Sequence, residues 1–356
     1  MRIFNFSAGP AVLPLPVLEK ASKELVEYGG AGMSVMEMSH RSKSYEEIHS
    51  AAIELLRELM GVPSNYKIML LQGGASMQFA QIPMNLKKSG KADFVITGEW
   101  SNRAYKEASG ILDAKIAASG EDIKFARIPE IKGVRPDADY LHICTNNTIT
   151  GTRFTTIPDA GKVPIVADMS SGILSEVFDV SKFGLIYAGA QKNIGPAGVA
   201  VVIIREDLLE NENAAKLTVF LQYKSHVAAN SMYNTPPTYT IYLIKLCLEW
   251  LKSQGGVSGI QKINEAKAKI LYDYLDASPL FKGIADKPHR SLMNVPFTTG
   301  DDDRDKQFVK EAATAGFANL GGHRLVGGLR ASIYNAMPTE GVVALVEFMK
   351  KFEGGQ

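Results

Sequence analysis

The chain has 356 residues, 46% hydrophobic and 22% charged, an ordinary globular composition that suits one large α/β domain plus a smaller one. Lys plus Arg number 39 against 38 for Asp plus Glu, a formal charge of +1, which argues against broad binding of nucleic acid or an anionic membrane. The start, MRIFNFSAGPAVLP, does not read as a signal peptide, and no apolar run approaches the about 18 residues of a spanning helix, so a soluble, cytoplasmic protein is expected.

In chain order, short apolar runs alternate with helical patterns, which predicts a mostly parallel sheet with crossover helices. A first helix is expected over 44–60, where Tyr45, Ile48, Ala52, Leu55, Leu56 and Leu59 fall near i, i+3, i+7 spacing. Just before it stands the cationic pair His40-Arg41. A strand over 67–72 leads through Gly73-Gly74-Ala75-Ser76 into a helix over 76–86. Backbone N–H groups at such a helix start can hold phosphate, although a plain tight turn reads equally well. A strand over 93–97 and a helix over 102–108 follow. Four more strands are expected over 140–145, 165–168, 185–189 and 199–204. Several lack strict alternation, as strands covered on both faces do.

The strand over 185–189 runs into Ala190-Gln191-Lys192-Asn193-Ile194-Gly195-Pro196-Ala197-Gly198. Loops at the carboxyl ends of parallel strands are where α/β proteins place ligands. A lysine there becomes a nucleophile once its ammonium is easier to deprotonate. Small neighbours leave room for a cofactor, and a solvated surface lysine would not call for them. Asp168 ends the strand one crossover upstream. A carboxylate beside a pyridine nitrogen keeps that nitrogen protonated and makes the ring an electron sink. Alone, Asp168 reads as well as a turn or helix cap; paired with Lys192 it points to pyridoxal phosphate.

After Asn234-Thr235-Pro236-Pro237 a helix is expected to about residue 253, broken by Gly255-Gly256 and followed by a helix over 258–275. The rest reads as strand 291–297, helix 303–315, strand 329–333 and helix 339–352, which is α+β in style. His323, Arg324 and Arg330 lie in a glycine-rich segment, where a ligand can approach the backbone closely. Arg forks suit carboxylate and phosphate. The pair His289-Arg290 receives no role. Asp301-Asp302-Asp303 reads as a helix start rather than a calcium loop. Cys144 and Cys247 have no CxxC neighbour, and no metal site is expected.

These residues carry a resemblance. Asn5-Phe6-Ser7-Ala8-Gly9-Pro10, Ser39-His40-Arg41-Ser42, Gly73-Gly74-Ala75-Ser76-Met77-Gln78-Phe79 and Ala188-Gly189-Ala190-Gln191-Lys192-Asn193 resemble the phosphoserine aminotransferases, of the class V pyridoxal-phosphate-dependent aminotransferase family. So do Tyr233-Asn234-Thr235-Pro236-Pro237-Thr238 and the stretch from Gly322 to Ser332. The likeness runs from residue 3 to about 352. It implies an α/β fold of fold type I, with a mostly parallel large domain and a smaller α+β C-terminal domain. The expected division is an N-terminal segment 1–15 near the active site, a large cofactor domain 16–255 and a small domain 256–356. It also implies a homodimer with active sites at the subunit interface.

By that resemblance Lys192 is the Schiff-base lysine and Asp168 the partner of the pyridine nitrogen. Trp100 stacks on the cofactor ring, Ala75, Ser76 and Gln191 meet its phosphate, and Thr148 also touches the cofactor. Asn234 and Thr235 reach the phosphate from the other subunit. His40, Arg41, His323, Arg324 and Arg330 hold substrate anions. Part of the family carries Arg where this chain has Ser76, so one cation is absent from this loop. The implied reaction interconverts O-phospho-L-serine plus 2-oxoglutarate and 3-phosphooxypyruvate plus L-glutamate, in L-serine biosynthesis, with ping-pong kinetics. A second substrate, 4-phosphohydroxythreonine of pyridoxine biosynthesis, stays open. The rivals are another class V enzyme such as a cysteine desulfurase, a nicotinamide dehydrogenase, disfavoured by the missing GxGxxG, and a non-catalytic α/β binding protein.

Overall fold

The structure is a computed structural model and describes residues 2–355. A two-residue strand β1 (Phe4–Asn5) opens the chain. A seven-stranded sheet is then built from β2 (Tyr66–Leu71), β3 (Lys91–Ile96), β4 (Asp113–Ser119), β5 (Tyr140–Cys144), β6 (Ile165–Asp168), β7 (Leu185–Gly189) and β8 (Ala200–Arg205). Their spatial order is β2-β8-β7-β6-β5-β3-β4, with β8 antiparallel to both its neighbours and the other pairings parallel. The C-terminal part adds β9 (Lys282–Gly283), β10 (Asn294–Thr298), β11 (Phe317–Ala318) and β12 (Leu329–Ser332). There β12, β10 and β9 make an antiparallel sheet, while β11 pairs in parallel with β1.

The helices are α1 (Leu15–Lys23), α2 (Lys43–Met60), α3 (Gly74–Leu86), α4 (Glu99–Ser109), α5 (Tyr223–Ala228), α6 (Thr238–Ser253), α7 (Gly256–Ala277), α8 (Asp302–Thr314) and α9 (Thr339–Gly354). The central strands are buried throughout because both sheet faces are covered. On one face Ile143, Ala167, Ile186, Val201 and Ile203 pack with Ile241, Ile244 and Leu248 of α6. On the other, Val166, Leu185, Tyr187, Val202 and Ile204 pack with Phe79 and Ile82 of α3 and Ala104 of α4. Successive residues of one strand thus serve different cores, and each large side chain so buried contributes roughly 1.5–3 kcal/mol.

A separate core gathers Leu271, Phe281, Val295, Phe297, Phe308, Ala331, Leu345 and Met349, and Phe6 from the opposite end of the chain joins it. Helix α7 spans both bodies: Val257 and Ile260 face the large core, Ala268 and Leu271 the C-terminal one. Among the described residues no helix is long and apolar enough to cross a membrane.

The structure departs from sequence expectation at several ends. The edge strand β4 was not expected. Thr97 leaves the sheet because Ser101 Oγ accepts its N–H at 2.9 Å, which starts α4 at Glu99 rather than 102. The strand expected from 291 begins at Asn294, because Ser291 Oγ accepts the N–H groups of Met293 and Asn294 and turns the chain there.

Candidate active site

The carboxyl ends of β2, β3, β5, β6 and β7 lie along one edge of the sheet, and the loops leaving them carry most of the expected site. Lys192 follows β7 in a turn closed by Ala190, whose N–H donates to Val199 O (2.9 Å) and whose carbonyl accepts from Gly195 N (2.8 Å). Lys192 Nζ donates to Thr148 Oγ1 at 2.8 Å. Thr148 Oγ1 in turn donates to Ser171 Oγ (3.0 Å), and Ser171 Oγ to Asn146 O (2.8 Å). The N-terminal segment crosses this loop. Ala11 N donates to Gln191 O at 2.8 Å, and a Cβ on Gly9 would lie 3.5 Å from Lys192 Cγ. Burial lowers the Lys192 pKa from the usual lysine range and Arg330 adds to this, while the charge of Asp168 partly opposes it. The result is an amine easier to deprotonate than a surface lysine.

Asp168 is buried at the end of β6, opposite Tyr187 of β7, and its Oδ1 accepts from Ser170 N at 2.8 Å. Trp100 sits in the first turn of α4, its ring centroid 6.0 Å from Lys192 Nζ. Its Nε1 is buried without a hydrogen-bond partner. The β2–α3 turn is held by Gly73 at φ 91°, and a Cβ there would meet Met77 Cβ at 2.7 Å. No side chain caps α3, so the first-turn N–H groups around Ala75 and Ser76 remain available to an anion.

Arg330, on β12, donates from Nη1 to Thr148 O at 3.2 Å, while its Nε is buried and unpartnered. His323 and Arg324 lie in the adjoining glycine-rich loop. Burial, then the charges of Arg330 and Arg324, lower the His323 pKa below the usual imidazole value. In this arrangement the neutral form of His323 is favoured over the charged one. Sequence reasoning missed Arg103, whose guanidinium carbon lies 5.1 Å from the Trp100 ring centroid and which pairs with Glu99 at 2.6 Å. Its signal was present: Arg103 stands one helical turn after Trp100. Ser171 and Asn146, which buttress Thr148, were missed as well.

The structure brings Lys192, Thr148, Asp168, Trp100, Arg330 and His323 to one place. His40 and Arg41 stand on the turn before α2; among the described residues no hydrogen bond or ion pair joins their side chains to that group. Asn234 and Thr235 lie beside the β2–α3 turn of their own chain: Asn234 Nδ2 donates to Gln72 Oε1 (3.3 Å) and Gln72 Nε2 to Thr235 O (2.8 Å). His289-Arg290 is structural, with Arg290 paired to Asp276 at 2.6 Å. Both cysteines are buried in regular structure. Burial pushes the Cys144 thiol well up and that of Cys247 to about 12, which suits neither to nucleophilic attack.

Comparison with known proteins follows the same lines. The sequence pattern of the family described as aminotransferase class-V matches residues 3–345. A phosphoserine aminotransferase of Listeria innocua is 56% identical over 353 residues, 99% of this chain and 96% of that protein. The solved phosphoserine aminotransferase of Bacillus circulans subsp. alkalophilus superposes with a TM-score of 0.97 at 48% identity, covering 99% of each chain. A phosphoserine aminotransferase from Trichomonas vaginalis, solved with PLP bound, gives 0.93 at 39% identity, covering 98% of this chain and 100% of that one.

Proposed function

The chain belongs to the class-V aminotransferases, and from that premise we propose that it exchanges an amino group between O-phospho-L-serine and 2-oxoglutarate, giving 3-phosphooxypyruvate and L-glutamate, with Lys192 holding pyridoxal phosphate. The reading is carried by the Lys192 amine: partly buried, made easier to deprotonate and aimed at Thr148 Oγ1 at 2.8 Å. The residues fit the cofactor. There is an amine for its aldehyde, a buried carboxylate at Asp168, an uncapped helix start at Ala75 and Ser76, and two buried donors, Trp100 Nε1 and Arg330 Nε, that await partners.

When bound, pyridoxal phosphate supplies an aldehyde for amines and a ring that accepts the electron pair released at the substrate Cα. The chain supplies the rest. Asp168, a buried carboxylate, would keep a pyridine nitrogen protonated, and the Trp100 ring would offer a stacking surface to the cofactor. The first-turn amides of α3, the Ser76 hydroxyl and Gln191 hold the phosphate. With the cofactor bound, the Lys192 amine would serve as the base that takes the Cα proton and returns it, and Thr148 Oγ1 would orient that amine. Arg330, Arg324 and His323 bind the substrate's carboxylate and distal anion, and burial of Arg330 sharpens its preference for an anionic partner.

The same reading makes the enzyme a homodimer in which the partner's His40, the partner's Arg41, the partner's Asn234 and the partner's Thr235 complete each site. It divides the chain into a strap 1–15, a large domain 16–255 and a small domain 256–356, supported by the separate hydrophobic cores. It also places the enzyme in the cytoplasm, whose reducing medium suits two unpaired cysteines, and in L-serine biosynthesis. The test is direct. Purified enzyme should show visible cofactor absorbance and turn over phosphoserine but not serine, and Lys192→Ala should lose both absorbance and turnover. Equal use of serine, or full turnover by Lys192→Ala, overturns the reading.

A further inference from the structure

Helix α7 carries two polar side chains one turn apart, Asn264 and Lys267, each fully buried. Both grip segment 333–337, which follows β12. Lys267 Nζ donates to the carbonyls of Ile333 (3.1 Å), Tyr334 (2.8 Å) and Met337 (3.0 Å). Asn264 Nδ2 donates to Asn335 Oδ1 (2.8 Å) and to Ser175 O (3.0 Å). A buried ammonium with no carboxylate partner is costly, and burial alone pulls the Lys267 pKa down to about 7. Ionisable neighbours on α7 are engaged elsewhere: Lys269 with Asp273, Glu265 with Gln261, and the Tyr272 hydroxyl with Ser291 O. A methionine would fill this volume but leave the three carbonyls without this donor, so Lys267 ties the backbone of the segment down at three points.

The far side of the segment touches the active site. Asn335 N donates to Asn193 Oδ1 at 3.0 Å, next to Lys192. Tyr334 Oη donates to Ala8 O at 2.7 Å, beside the Gly9 that lies against the Lys192 stem, and Ser332 N donates to Phe6 O at 3.2 Å. Arg330 lies on the strand that leads into it. We propose that Lys267, with Asn264, is a positioning residue for catalysis: it clamps segment 333–337 so that the segment holds the Lys192 loop on one side and the N-terminal strap on the other. No role in binding substrate is assigned to it. The proposal rests on Lys192 being the cofactor lysine.

The experiment compares parent and Lys267→Met holoenzymes. It reads KM and kcat for L-glutamate, together with amide hydrogen exchange over 332–337 and 190–195. The expected result is a folded variant whose KM rises about tenfold, more than kcat falls, with faster exchange confined to those two stretches. Parental KM and exchange, or activity lost only in proportion to the folded fraction, overturns it. If Lys267→Met does not fold, Tyr334→Phe, which cuts the hydroxyl's links to Ala8 O and Asn294 Nδ2 and leaves Lys267 in place, decides when read with exchange over 332–337: a KM rise with faster exchange there supports the clamp, and a parental KM refutes it. A parent with no aminotransferase turnover would instead overturn the functional reading, and the exchange data would still judge the clamp.

Discussion

Thr148 is held between two cations: its hydroxyl accepts from Lys192 Nζ, and its carbonyl accepts from Arg330 Nη1. Thr148→Val keeps the shape and the carbonyl and removes the hydroxyl. Losing one oriented hydrogen bond to the amine should lower kcat about tenfold with little change in KM; a parental kcat would remove Thr148 from the mechanism. His323 makes a pH prediction. With its pKa held below 6.5, the free imidazole is neutral at pH 7, and a bound carboxylate favours its charged form. Binding should therefore take up a proton, and the KM for L-glutamate should fall as pH is lowered from 8 to about 6. His323→Gln should flatten this trend relative to the parent, and identical trends in both would sink the assignment. Lys192 and Asp168 were legible in the sequence because each sits at the end of an apolar strand, where position follows from the strand. Arg103 was signalled by its place one helical turn after Trp100, but Ser171 was not, because its role comes from a contact with Thr148 that single-chain spacing does not announce.

At the scale of elements, the β2–α3 turn is the most exacting piece. Gly73 adopts φ 91° and leaves no space for a Cβ against Met77. Gly73→Ala should cost about 1–3 kcal/mol through strain and displace the first turn of α3. We expect a lower melting temperature and faster loss of cofactor on dialysis; an unchanged melting temperature would count against strain at this turn. The interior strands were legible, two of them to the residue (β6 and β7), because burial on both faces writes them as uninterrupted apolar runs. Edge strand β4 was not, since Asp113, Lys115 and Ile116 are exposed and its residues carry no apolar run. Helix ends slipped where a side chain took over a backbone bond. Ser101 caps α4 and brings Trp100 into its first turn, a shift that a hydrophobic period cannot encode.

For the whole molecule, the sequence hid how the ends meet. Phe4 pairs with Phe317 and Phe6 enters the C-terminal core, contacts across nearly the full chain that no local pattern reports. The proposed association of two chains would be equally non-local, and the exposed apolar side chains show where it would form. Leu25, Val26, Met33 and Met36 are exposed around the stretch that leads to His40 and Arg41, and Val219, Phe220 and Tyr233 are exposed beside Asn234. Apolar side chains exposed near His40, Arg41 and Asn234 are the kind of surface that a symmetric partner would cover. If each site draws Lys192 from one chain and Asn234 from the other, Lys192→Ala and Asn234→Ala homodimers each have two damaged sites. A mixed dimer puts both lesions in one site and leaves the other intact. After unfolding and refolding an equal mixture, half the dimers are mixed and each has one working site, so about a quarter of parental activity should return. Sites built within one chain give no such recovery, because every Lys192→Ala site lacks its amine and every Asn234→Ala site keeps its own defect. Mixed samples no more active than the average of the two variants would therefore exclude the shared site while leaving the role of Lys192 untouched.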